Sequence, residues 1–77
     1  MENLDDKTSA LIGIGVSYAL NCKHCMDFHR DLAEKAGASP EEMSSAVAMG
    51  EKVRNGAHNH AKGFAADVFG EKVSALL

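Results

Sequence analysis

Asn21-Cys22-Lys23-His24-Cys25-Met26-Asp27-Phe28-His29 is the stretch from which this chain is read. It holds both cysteines and two of the four histidines of the 77 residues. The pattern is C-x-x-C-x-x-x-H. On a helix, Cys22 and Cys25 stand three apart, and Cys25 and His29 four apart. All three side chains then share one face, one turn from each other. Two cysteines that can bridge, with an imidazole in reach, make a redox site or half of a metal site. Two cysteines placed at random in a chain of this length fall three apart about one time in forty. The bland alternative is a pair of small buried thiols, and the histidine one turn on shifts the weight towards chemistry.

Outward from this stretch the chain reads as helix on both sides. Asn21 suits an N-cap, opening a second helix at Cys22 that runs to about Ala36, with Gly37 just past its end. Cys22, Cys25, His29, Leu32 and Ala36 make one stripe of it, and Asp27, Arg30, Asp31, Glu34 and Lys35 cover much of the rest. At a helix start, unpaired N–H groups and the helix dipole favour thiolate over thiol. Upstream, residues 4–20 read as a first helix. Asn3, Asp5 and Asp6 stand where a helix N-terminus favours capping and acidic residues. Leu4, Leu11, Ile12, Gly15, Val16, Ala19 and Leu20 recur with the spacing of a buried helix. A short strand through Ile14 and Val16 is the other option, but no partner strand is visible. Gly13 and Gly15 weaken the helix and mark close approach of another backbone. Tyr18 reads as the edge of the core rather than a substrate contact.

Downstream, Ser39-Pro40-Glu41-Glu42 is the clearest start signal: Ser39 as N-cap, Pro40 at the first helical position, Glu42 completing a capping box. Met43, Ala46, Val47, Gly50, Val53 and Ala57 follow as a helical stripe. Asn55-Gly56 is a candidate break. Beyond it Phe64, Val68, Phe69, Val73, Leu76 and Leu77 keep helical spacing. The expectation is one long bent helix or two helices meeting near residues 55–57, hence an all-α domain of three to four helices over residues 1–77. His58 and His60 stand two apart, point to different sides of a helix, and read as surface residues.

Composition narrows the function classes. A domain this short buries a thin core and commonly adds disulfides, metal or a partner subunit. One C-x-x-C bridge closes too small a loop to stabilise much, so association of copies is the expected remedy. Hydrophobic residues make up 45% of the chain and aromatic residues 5%. Small apolar side chains pack closely but fill little volume, which leaves apolar surface for a partner. The net charge of −3 and the absence of a basic patch argue against nucleic acid and anionic membranes as partners. The acidic opening Met1-Glu2-Asn3-Leu4-Asp5-Asp6 does not resemble a signal peptide, and no apolar run reaches the length of a membrane span. The expected compartment is the cytoplasm, where a C-x-x-C is more often catalytic or metal-binding than structural.

Two chemistries fit the residues. In the redox reading one cysteine attacks as thiolate and the other resolves the intermediate as an internal disulfide. His29 is the natural base, and His24, between the cysteines, tunes either thiolate. A peroxide would leave a sulfenic acid that condenses to the disulfide. In the metal reading Cys22, Cys25 and His29 are three zinc ligands, and His24, His58 or His60 must supply the fourth. No second C-x-x-C and no H-x-x-x-H is present to complete such a site.

The order of several blocks resembles the alkyl hydroperoxidase D-like domain of the carboxymuconolactone decarboxylase family. These are Lys7-Thr8 with Leu11-Ile12, Ala19-Leu20-Asn21-Cys22-Lys23-His24-Cys25, Phe28-His29, Ala36-Gly37-Ala38, Pro40-Glu41-Glu42-Met43 and Val53-Arg54-Asn55-Gly56-Ala57. The resemblance implies an all-α fold assembling as trimers or hexamers, with peroxidase or disulfide-reductase activity carried by the cysteine pair. It implies that Cys25 reacts with peroxide, that Cys22 resolves, that His29 belongs to a proton relay, and that His24 assists. It sets decarboxylation aside, because that branch typically lacks the cysteine pair. The redox members usually carry a relay glutamate between the Lys-Thr and the Leu-Ile; here the position is Ala10, which can neither accept a proton nor orient an imidazole. Glu51 on the third helix is the substitute that chemistry suggests.

The expectation is therefore a cytoplasmic, homo-oligomeric thiol–disulfide oxidoreductase without cofactor or metal. It uses Cys22, Cys25, His29 and His24 on a peroxide or protein-disulfide substrate, with hydroperoxidase activity at most weak. The competing expectation is a non-enzymatic oligomeric helical module whose Cys/His set is structural or holds zinc.

Overall fold

The computed structural model describes residues 3–77, the Ser74 side chain aside, so Met1-Glu2 of the acidic opening lies outside the described residues. Three α-helices follow one another: α1 over Asp6–Ala19, α2 over Lys23–Lys35 and α3 over Pro40–Phe69. A 3-10 segment over Glu71–Leu76 closes the chain, and no strand occurs among the described residues. Ile14 and Val16 both belong to α1.

Each helix start is built by a side chain that accepts an otherwise unpaired N–H. Asp5 caps α1 by accepting from the Thr8 N–H at 2.7 Å. Ser39 and Glu42 form the reciprocal capping box at the head of α3. Lys7 reaches Glu42 at 2.9 Å and ties the start of α1 to the start of α3. The Ser39 N–H and, after it, the Lys7 ammonium hold the Glu42 carboxyl below its ordinary value.

The corner between α1 and α2 departs from expectation. Asn21 is not the N-cap of α2; it ends α1, in the left-handed region at φ 58°. The Cys22 N–H bonds the Ser17 carbonyl and the Asn21 N–H the Tyr18 carbonyl, both at 3.0 Å. These two bonds are the Schellman closure of a helix end, which needs a residue that tolerates positive φ. After glycine, asparagine tolerates it best. With only three residues between the helices, Cys22 takes the cap of α2 itself. Gly37, at φ 87°, closes α2 the same way, with Ala38 N–H to the Ala33 carbonyl at 2.9 Å and Gly37 N–H to the Glu34 carbonyl at 3.1 Å.

α3 passes through Asn55-Gly56 unbroken and ends only at Gly70, so neither the break nor the two-helix option is realised. Val73 and Leu76 belong to the separate 3-10 segment rather than to a continuing helix. Thirty residues of helix span about 45 Å, roughly twice the span of α1. The far half of α3 therefore runs past the body, and Phe64, Val68 and Phe69 on it stand exposed.

The core is small. Ala10, Ile14 and Ala33 are its buried apolar members, with Leu11, Ala38, Met43, Ala46 and Val47 packed around them. α1 thus turns its Ala10, Ile14 and Ser17 face inward. The larger stripe expected to be buried is not: Ile12 and Val16 are each 50% exposed and Leu20 73%. On α2 the residue at the core is Ala33, not the Leu32 of the expected stripe, which is exposed. Small side chains win the interior because α1 and α3 cross at Gly15 and Gly50. A β-carbon on Gly15 would stand 2.9 Å from the Ala46 carbonyl oxygen, and one on Gly50 would run into the Gly15 carbonyl. Backbones that close leave no depth for large residues between them.

Candidate functional site

Cys22 is pinned from both helices. Its N–H closes α1 on the Ser17 carbonyl, and its carbonyl accepts the Met26 N–H at 3.0 Å to start α2. Its Sγ accepts the Cys25 N–H at 3.2 Å, the place a serine or aspartate oxygen holds in an ordinary cap. Ser17 steadies the corner from beneath: it is buried, and its hydroxyl donates to the Gly13 carbonyl at 2.6 Å.

Cys25 follows in the first turn of α2 and is joined to Cys22 in a disulfide, with Cα atoms 5.3 Å apart. Both cysteines are half-buried. The positive end of the α2 dipole acts on both sulfurs and favours any thiolate formed on reduction. His24, between them, is exposed. Lys23 pairs with Asp27 at 3.1 Å and holds that carboxyl below its ordinary value.

His29 is one turn beyond Cys25 and half-buried. Its seat is made by Gly13 of α1. A methyl group at position 13 would overlap the imidazole, falling 2.6 Å from Cγ and Cε1. The Phe28 ring stands edge-on to the imidazole, with centroids 5.2 Å apart. Nδ1 of His29 is buried and has no hydrogen-bond partner, and the same is true of the Ser9 hydroxyl. Both residues line a cleft of about 360 Å³ between α1 and α2, together with Asp6, Ala10, Leu32, Lys35 and Ala36. Ala10 does face His29 across this cleft and brings no polar atom to it.

The remaining candidates lie elsewhere. Glu51 accepts a hydrogen bond from the Tyr18 hydroxyl, so it serves Tyr18 and not the His29 nitrogen. That bond, foremost, pushes the Tyr18 hydroxyl pKa up. Arg54 lies over the Tyr18 ring, 5.4 Å from its centroid, and the three residues clip the end of α1 to α3. His58 and His60 are exposed on α3, and the His60 ring stacks on Phe64. Among the described residues no three His, Cys, Asp or Glu side chains converge as metal ligands. No described helix is long and apolar enough to cross a membrane.

Sequence reasoning missed Ser9, Gly13 as the seat of His29, and Ser17. Glycine in a helix flagged close approach of another backbone at Gly13 and Gly15; that is what Gly15 meets, whereas Gly13 meets the His29 side chain. Nothing in the local sequence singles out Ser9.

On the opposite side of α1, an apolar groove of about 690 Å³ runs between α1 and α3, lined by Ile12, Val16, Leu20, Met49 and Val53 among others.

The carboxymuconolactone decarboxylase family model matches residues 2–67 of the chain. No curated protein and no solved structure matches it.

Proposed function

The chain belongs to the carboxymuconolactone decarboxylase family, and on that premise we propose that it is a small thiol–disulfide oxidoreductase with at most weak hydroperoxidase activity. The observation that carries this reading is the Cys22–Cys25 disulfide at the amino end of α2, with His29 one turn further along the helix. The oxidised pair is one end of the catalytic cycle, and an external dithiol returns it to the reduced end.

From the reduced state, the Cys25 thiolate attacks one sulfur of a substrate disulfide. A mixed disulfide forms and one substrate thiolate leaves. The Cys22 thiolate then attacks the Cys25 sulfur, the internal disulfide closes, and the second substrate thiolate leaves. Cys22 suits the resolving role because its backbone is held from both helices and its sulfur lies over the Cys25 N–H. With a hydroperoxide, Cys25 takes the terminal oxygen and the alcohol leaves. The sulfenic acid then condenses with the Cys22 thiol, releasing water. His29 takes the Cys25 proton through Nε2, since Nδ1 is turned towards α1. His24 adds charge near the thiolates. With Ala10 facing His29, no carboxylate of α1 draws a proton through the imidazole, which makes peroxide the weaker substrate and leaves disulfide exchange intact.

The same reading has the chain working as a homo-oligomer, trimer or hexamer, in the cytoplasm, where thiol reductants are at hand. Support for association comes from the thin core and from the exposed apolar side chains Ile12, Val16, Leu20, Met49 and Val53 along the groove between α1 and α3.

The test is a titration of thiolate absorbance on reduced, metal-free protein, for the wild type and for Cys22→Ser and Cys25→Ser, alongside disulfide-reductase assays. The expected result is one thiol ionising below the reference value of about 8.5, lost in Cys25→Ser, and activity at background in both variants. Two thiols at or above the reference, or activity that survives both substitutions, overturns the reading. Near-stoichiometric zinc in the purified reduced protein would instead favour the non-enzymatic module.

A further inference from the structure

α3 is longer than the helices it packs with. Beyond Arg54, which meets Tyr18 of α1, it runs on to Phe69 for about 22 Å. That overhang carries Phe64 and Val68, four residues apart on one face and exposed at 64% and 72%. The groove between α1 and α3 has the complementary defect. It is walled by Ile12, Val16, Leu20, Met49 and Val53, and no described residue fills it. Its one charged lining residue, Glu42, is already paired with Lys7. The groove therefore calls for an apolar occupant about as long as α1, whose 14 residues span about 21 Å. The overhang has that length and that character. It cannot fill the groove of its own chain, because it continues the helix that forms one wall.

Both features lie on the same side of α3. Steps of three and four residues lead from Met49 and Val53 through Ala57 and His60 to Phe64 and Val68. The exposed area points the same way. The chain exposes 5794 Å², where a folded monomer of 77 residues exposes about 4500 Å². The excess of about 1300 Å² is more than the roughly 800 Å² that each partner buries in a standard interface.

We propose that two copies of this chain pair antiparallel along α3, the overhang of each lying in the α1–α3 groove of the other. This rests on the homo-oligomer of the preceding reading and names the surface that makes it. The pairing is isologous, so each contact occurs twice. Matching overhang to groove sets Phe64 of one copy beside Val53 of the other, and Val68 beside Met49. The two-fold axis then passes near His58 and Asn59. Gly56, Ala57 and Ala61 flank it, and their small side chains let the two α3 backbones approach closely. A two-fold pair selects the hexamer over the trimer.

The test is equilibrium sedimentation of the full oxidised chain as wild type, as Val53→Lys, as Phe64→Glu and as an equimolar mixture of the two variants. Both positions are exposed. They stand about 16 Å apart along the helix, so the introduced charges cannot meet within one copy. Expected are an even association number for the wild type and at least about tenfold weaker association in either variant alone, where a charge is buried without a partner. The mixture should regain association, because the lysine of one variant meets the glutamate of the other while the second contact stays native. Unchanged association in either variant, a mixture no tighter than its components, or a trimeric wild type overturns the pairing and leaves association to another surface. A wild type that stays monomeric overturns the pairing and the homo-oligomer together, and leaves the groove to a foreign chain. The thiol titration is untouched by any of these results, so the redox reading stands or falls separately.

Discussion

The two sides of α1 make a comparison that the rest of the molecule follows from. Gly13 and Gly15 are two residues apart and face different neighbours. Gly13 admits a side chain, the His29 imidazole, and the space beside it is a cleft of mixed polar and apolar lining. Gly15 admits a backbone, the α3 main chain at Ala46 and Gly50, and the space beside it is an apolar groove. The difference teaches what helix glycines are for in a chain with so little core. Against a side chain, the missing methyl creates a seat whose occupant can still adjust. Against a backbone, it sets the distance between two helices, which has no means of adjusting. On the proposed reading one side therefore carries the chemistry, and the other carries the fold and its unfilled apolar surface.

The sharpest way to break the comparison is to add the methyl group on each side. Gly50→Ala drives a β-carbon into the Gly15 carbonyl. It should cost about 2–3 kcal/mol of stability in denaturant unfolding, at the upper end for an overpacked core. Gly13→Ala should cost less stability, because an imidazole can turn away. It should instead lower thiol reactivity by up to about a hundredfold through the displaced base. Gly63→Ala, where a β-carbon meets nothing within 4 Å, is the control and should gain up to about 1 kcal/mol from helix propensity. If Gly13→Ala and Gly50→Ala give the same balance of lost stability and lost reactivity, the two sides do not differ in the way described.

A smaller effect tests the apolar side alone. Met49 lines the α1–α3 groove and is 58% exposed. Met49→Lys should weaken self-association at least about tenfold by sedimentation while the Cys25 ionisation stays put, since a charge at the centre of an apolar contact is left without a partner. An unchanged sedimentation coefficient would remove this groove from the interface.

The smallest effect concerns the ends that both sides share. The Glu42 and Asp5 carboxyls are held below their ordinary values, chiefly by the capped N–H groups of Ser39 and Thr8. A carboxyl whose folded value is depressed contributes stability that is present at neutral pH and lost as the pH falls from about 4 through the depressed value. Glu42→Gln should flatten the melting temperature against pH in that acid window and change little at pH 7. Full acid sensitivity retained in Glu42→Gln would show that Asp5 and the other carboxylates carry the effect.

Much of this was legible in the residues themselves because it depends on short-range geometry. The capping box at Ser39-Pro40-Glu41-Glu42, the glycine end at Gly37 and the three-and-four spacing of Cys22, Cys25 and His29 are set by neighbours within one turn, which sequence reports directly. Asn21 was misread because a good N-cap and a good left-handed residue are the same kind of residue. Only the requirement that α1 close on Ser17 and Tyr18 before α2 begins decides between the two roles. The inward face of α1 was misread for a related reason. Hydrophobicity ranks Ile12, Val16 and Leu20 above Ala10 and Ser17, yet the face that turns inward carries Ala10, Ile14 and Ser17, because the glycine crossing brings α3 too close at Gly15 for large side chains beside it to pack between the two backbones.

By itself, then, the sequence determined that the chain is helical, where the third helix begins, and that two thiols and an imidazole gather within the first two turns at the head of the second, since each of these follows from spacing and capping along the chain. Tertiary structure alone decided that Glu51 answers to Tyr18 and that Ser9 and Ala10 line a cleft with His29. Those are contacts between residues far apart in sequence. They arise from the distance at which backbones cross, and no local pattern encodes that distance.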